Sequence, residues 1–171
     1  AAHRRGITID VPPAGAEVIR AMRAQLGWIL INRDQAAIQP GSRSYERSWI
    51  RDGSLTSTAL LRLGHPEIVR SFINWYAGYL YPDGKVPCCV DARGADPVPE
   101  HDSTGEFLFL VAEYYRFTKD RDLVASHWPG IVRAVASLDS LRQERRTEEY
   151  RKPENAPFFG ILPPSISHEG Y

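Results

Sequence analysis

Sulfur is scarce in this chain. Two cysteines and one methionine in 171 residues are too few for a disulfide-stapled scaffold. The cysteines, Cys88 and Cys89, are adjacent. Neighbouring cysteines seldom bridge each other, because the Cβ geometry of a disulfide strains the peptide between them. No histidine or further cysteine joins them at metal-ligand spacing, so no zinc site is expected and no cofactor is implied. Two free thiols lean towards a reducing, cytoplasmic compartment, and nothing else marks a location. Excess charge is missing as well. Lys plus Arg and Asp plus Glu both total 21, and no basic stripe stands out, so neither nucleic acid nor an anionic membrane surface is an expected partner. No apolar run reaches the ~18 residues of a spanning helix, and the N-terminus has no apolar stretch of the signal-peptide kind. Phosphate-binding glycine loops, His-x-x-x-His pairs and Gly-x-Ser-x-Gly elbows are also lacking.

What remains is ordinary globular material. Apolar residues make up 43% and charged residues 25%, and the length suits a single domain over 1–171. Four Trp and eight Tyr are many for this size. They serve either as core or as flat faces for stacking on sugar rings.

Periodicity is helical throughout. Residues 1–13 form a polar arm. Over 14–33, Val18, Met22, Leu26, Ile29 and Leu30 make a one-sided stripe. The segment 54–63 is apolar or small on most sides, and predicts a helix buried on most sides. Gly64-His65-Pro66 turns the chain, with Pro66 suited to the first turn of the next helix. Over 66–81 the stripe is Ile68, Phe72, Tyr76 and Leu80, flanked by Val69 and Ile73. A long loop rich in Pro, Gly and Asp covers 85–100, a length more often functional than merely connecting. The segment 103–117 is again apolar nearly all round. A helix over 121–145 carries Trp128, Ile131, Val132, Val135 and Leu138, with Pro129 as a start or a kink. Mixed charges over 142–152 read as a solvated helix end, and 153–171 is a Pro-rich loop.

The helices therefore alternate between one-sided and buried. An all-α array of helical hairpins, inner helices shuttling with outer ones, accounts for that order. The two buried helices begin alike, with Arg51-Asp52-Gly53-Ser54 and His101-Asp102-Ser103-Thr104. The aspartates are 50 residues apart, longer than the ~34–47 of common helical repeats. Tyr45, Trp49, Arg51 and Asp52 precede or open the first of these, and Glu100, His101 and Asp102 the second. One account is capping, with Asp52 or Ser54 accepting helix N–H bonds. The other is a polar pocket where helix N-termini converge.

Several stretches together resemble one family. They are Trp-x-Arg-Asp at 49–52, Asp-Gly-Lys-Val-Pro at 83–87, Glu-His-Asp-Ser-Thr-Gly-Glu-Phe at 100–107, Glu-Tyr-Tyr-Arg-Phe-Thr-Lys-Asp at 113–120 and Trp-Pro at 128–129. Phe-Gly-Ile-Leu-Pro-Pro-Ser-Ile-Ser-His-Glu-Gly-Tyr at 159–171 follows. Their order is similar to that of the glucoamylase-type six-hairpin glycosidases. The resemblance implies an (α/α)6 barrel with a sugar cleft at the N-terminal rim of its inner helices, and an exo-acting, inverting glycoside hydrolase. It implies that Arg51 and Asp52 hold the terminal sugar, that Trp49 and Tyr45 wall the pocket, and that Glu100, His101 and Asp102 line the rim. Glu169 and Tyr171 would reach the cleft from a following loop, and Glu169 is the one catalytic candidate by position. Six hairpins need a much longer chain, so the resemblance covers the first half of such a barrel and lacks the full catalytic pair. The partner it implies is an oligosaccharide or glycoside, with self-association through exposed inner helices. The residues also fit a non-catalytic carbohydrate-binding module or a helical protein-interaction domain.

Overall fold

The structure, a computed structural model, describes residues 7–166. It is mainly helical: α1 (Ala16–Ile31), α2 (Ile50–Arg62), α3 (Pro66–Ala77), α4 (Ser103–Thr118) and α5 (Arg121–Gln143). Short 3-10 turns lie at Pro13–Gly15, Arg43–Tyr45, Glu149–Arg151 and Ala156–Phe158.

A small antiparallel sheet interrupts the all-helical expectation. Its strands are β1 (Ser48–Trp49), β2 (Cys89–Asp91) and β3 (Gly94–Ala95), in the order β1-β2-β3. Ser48 pairs with Val90 and Trp49 with Cys89; Val90 pairs with Ala95 and Asp91 with Gly94. The stretch 85–100 is therefore not one irregular loop. Strands this short give no readable alternation, while Gly94 at φ 108° supplies the tight return. The Ile50 N–H extends the ladder by donating to the Cys88 carbonyl (3.0 Å).

Helices α2 and α4 lie side by side and run the same way. At one end Arg51 of α2 meets Glu100, just before α4. At the other end the Arg62 guanidinium sits 5.8 Å from the Phe117 ring centroid. Their shared surface is largely core: Ile50, Leu60, Phe107 and Leu110 are fully buried. Helix α3 closes on it with Val69, Phe72, Ile73 and Tyr76, all at 0% exposure. Each such side chain contributes about 1.5–3 kcal/mol on burial. The stripe read over 66–81 thus holds, although α3 ends four residues early at Ala77 and Leu80 is only partly buried. Gly53 lets α2 approach α3, since a Cβ there would fall 2.3 Å from the Phe72 ring.

Turns between the helices follow from single residues. Gly64 at φ 85° ends α2, and His65 N–H donates to Leu60 O (2.9 Å) before Pro66 opens α3. Lys119, left-handed at φ 58°, ends α4. Asp120 caps α5 by accepting from the Leu123 N–H (3.0 Å), and its other oxygen accepts from Tyr114 of α4 and Arg70 of α3. One aspartate thus fastens three helices.

Two expectations about the outer helices are corrected. The helix read over 121–145 is found at Arg121–Gln143 with Pro129 inside it, so Pro129 does not start it. The large apolar stripe of α5 faces inward only in part: Ile131 packs on the core, Trp128, Val132 and Val135 are about half exposed, and Leu123, Ala134 and Ser137 are buried. Close packing selected the small side. Gly84 lies so near that a Cβ would fall 2.2 Å from the Arg133 carbonyl oxygen. Nor does α1 bury its stripe. It has no buried residue, Val18 is 68% exposed, and only Leu26 and Ile29 pack on the core. The helices read as buried all round also keep open sides, with Leu55 of α2 and Phe109 and Phe117 of α4 exposed.

Candidate functional site

The helix starts decide where the polar residues fall. Helix α2 begins at Ile50, four residues before the expected 54. Arg51 and Asp52 therefore lie in its first turn, not in a preceding loop. Trp49 occupies the N-cap position and makes no side-chain cap bond. Ser54 does not cap either; its hydroxyl donates to the Arg51 carbonyl (3.0 Å). Asp102 sits at the N-cap of α4, also without a side-chain cap bond. Capping thus fails to explain Ser54 or Asp102, the polar side chains at the two helix starts.

The parallel packing of α2 and α4 brings both starts to one rim. Arg51 Nη1 lies 3.4 Å from Glu100 Oε2; the Glu100 side chain is 3% exposed and that of Arg51 26%. Asp52 and Asp102 act electrostatically on the same place, and the reporter is Glu106. Burial pushes the Glu106 carboxyl up to about 7 from an ordinary 4.5. Asp102 raises it further, Arg51 opposes, and Glu100 and Asp52 add to the rise. A first-turn position should favour the carboxylate, yet desolvation and three like charges outweigh that dipole. Glu106 Oε2 is buried with no hydrogen-bond partner among the described residues.

Glu106 is the site residue missed in the sequence, where it reads as part of an apolar helix. Its signal is spacing: it stands four positions after Asp102, one helical turn along the same face.

Aromatic residues flank the start of α2. Tyr45, 62% exposed, lies 6.4 Å from Trp49 between ring centroids, tilted by 54°. Trp49 is half-buried, its indole N–H is buried without a partner among the described residues, and the Arg47 guanidinium lies 5.9 Å from its ring centroid. His101 looks elsewhere. Its Nδ1 lies 3.1 Å from the Pro163 carbonyl oxygen, and its backbone N–H donates to Ser165 Oγ (3.1 Å). The segment after α5 thereby straps the rim. The other expected members, Glu169 and Tyr171, lie outside the described residues.

Chemically, the rim offers one guanidinium as a donor and several carboxylates as acceptors. Glu106, its carboxyl pushed up to about 7 chiefly by burial, can give or take a proton. No family model, no curated protein and no solved structure matches this chain.

Proposed function

We propose that this chain is the sugar-binding part of a glycoside hydrolase of the six-hairpin type, built as the first hairpins of an (α/α)6 barrel. The observation that carries the reading is the convergence of Arg51, Asp52, Glu100, Asp102 and Glu106 at the N-terminal ends of two parallel helices. Sugar hydroxyls both donate and accept, so a mixed rim of guanidinium, carboxylates and one carboxyl of raised pKa matches them. Trp49 and Tyr45 supply stacking faces beside it. In this reading Asp52 and Arg51 grip ring hydroxyls, and the parallel helices α2 and α4 are two of the inner ring.

Hydrolysis by such enzymes uses two carboxyl groups, one as acid and one as base or nucleophile, about 6.5–9.5 Å apart in inverting cases. On this reading Glu169 is the one catalytic candidate within residues 1–171, and the isolated chain binds sugar without turnover. Calorimetric titration with maltose-series oligosaccharides tests it. Binding at millimolar sugar is expected, weakened at least about tenfold in Asp52→Ala, a loss of about 1.4 kcal/mol. No binding to the native chain at that concentration, or unaltered binding by the variant, overturns the sugar site.

A second reading has its own observation. The half-exposed Trp128, Val132 and Val135 on α5 fit a helical interaction protein. That reading expects concentration-dependent association and no response to sugar.

A further inference from the structure

We infer that Cys88, Cys89 and Asp96 form a site for a thiophilic divalent cation, zinc or cadmium. Three ligand atoms, the two Sγ and an Asp96 carboxylate oxygen, lie within 4.8 Å of one another. The thiols face each other at 3.6 Å, with Cys88 donating to Cys89. Cys89 Sγ lies 3.9 Å from Asp96 Oδ2. A tetrahedral zinc with bonds of about 2.3 Å to sulfur sets S···S edges of about 3.8 Å, and S···O edges slightly shorter. The Cys88–Cys89 and Cys89–Asp96 separations are close to those edges before any ion enters, and the third edge is within 4.8 Å.

Sequence spacing hides this set, because its third ligand is a carboxylate brought in by the sheet. The Asp96 N–H donates to the Cys89 carbonyl (2.9 Å), which fixes the residue against β2. Its Oδ1 accepts from the Val98 N–H (3.0 Å), which orients the carboxylate and leaves Oδ2 turned to the thiol. Arg47 Nη2 lies 3.5 Å from the same oxygen, and Arg47 Nε 3.0 Å from Asp91. When the ion binds, the cation and Arg47 together balance two thiolates and Asp96. Arg47 is then an outer partner of the carboxylate, the arrangement that commonly steadies metal ligands.

A disulfide is the competing fate of the two sulfurs, and backbone geometry opposes it. Adjacent Cα atoms stand about 3.8 Å apart across a trans peptide, short of the roughly 4.4–6.8 Å that disulfides span. A shared ion needs no such contraction. Both cysteines are buried at 1% exposure, but a groove of about 270 Å³ lined by Arg47, Asp91, Arg93, Gly94 and Asp96 reaches the carboxylate from solvent.

The test uses the full chain, reduced and kept anaerobic. Zinc is titrated in competition with a chromophoric chelator, and cadmium is followed by its thiolate charge-transfer band. Expected are one ion per chain, about two protons released per ion, and a zinc-dependent rise in Tm that magnesium does not reproduce. Asp96→Asn should weaken zinc by about ten- to a hundredfold while circular dichroism stays native. Absence of stoichiometric uptake at micromolar zinc, or an affinity unchanged by Asp96→Asn, overturns the site. Should that variant unfold, a native chain whose Tm ignores zinc overturns it equally.

Discussion

Arg51 and Glu100 stand 3.4 Å apart, 49 residues distant in sequence, and join the first turn of α2 to the entry of α4. The guanidinium opposes the rise of Glu106, against Asp102, Glu100 and Asp52. Its loss is therefore not equivalent to the loss of one acid.

Arg51→Ala should lower stability by about 1.5–3 kcal/mol, the scale of a lost hydrogen bond to a charged group. Glu100→Gln should cost less, because Arg51 keeps other carboxylates near it. Urea denaturation checks the order through the midpoint at unchanged m-value. Equal costs would mean that Glu100 is the sole partner that matters.

Glu106 makes stability pH-dependent in a stated direction. Its folded value, about 7, lies above its ordinary 4.5. Between these pH values the folded chain holds a proton that the unfolded chain has released, so stability falls as pH rises through that window. Burial is the leading cause of the shift. Thermal midpoints measured from about pH 4.5 to about pH 8 should show the decline, and Glu106→Gln should flatten it. A variant with an unchanged slope would assign the dependence elsewhere.

Gly84 has two constraints at once. At φ 89° it occupies backbone space that L side chains avoid, and a Cβ would fall 2.2 Å from the Arg133 carbonyl oxygen. Gly84→Ala should destabilise by at least about 2 kcal/mol, since both left-handed strain and overpacking contribute. Chemical denaturation reads the loss; a change within about 0.5 kcal/mol, the range of an ordinary surface substitution, would contradict it.

The outward face of α5 tests the second reading. If the chain is a helical interaction protein, sedimentation should show self-association rising with concentration, reduced by Val132→Glu and Val135→Glu without loss of helical signal. A native chain that stays monomeric up to high concentration would remove the case for this contact face.

Much of the helical framework could be read from periodicity, and the reasons for the misses are physical. Phe72 and Tyr76 announce their burial because α3 has one core to face. On α5, Trp128 and Val135 look like core, but proximity to Gly84 favours the side bearing Ala134, and a hydrophobic stripe does not record which neighbour comes close. The strands were invisible because two or three residues carry no alternation. At the rim, the sequence supplied Arg51, Asp52, Glu100 and Asp102 through the repeated Asp-bearing starts. Glu106 stayed hidden among apolar neighbours, because desolvation depends on what packs beside it. Asp96 was likewise obscured, since its nearness to Cys89 arises from a strand return.

The strap from Pro163 and Ser165 onto His101 also sets an order of events. These contacts span 62 and 64 positions, whereas the α2–α3 and α4–α5 turns close within a few residues. A chain emerging from the ribosome can complete those turns early. It cannot fasten the rim until Ser165 has been synthesised and released from the exit tunnel. Closing such distant ends costs loop entropy before any contact repays it. These two contacts are thus expected to form late, and weakening them is expected to hasten unfolding more than it slows folding.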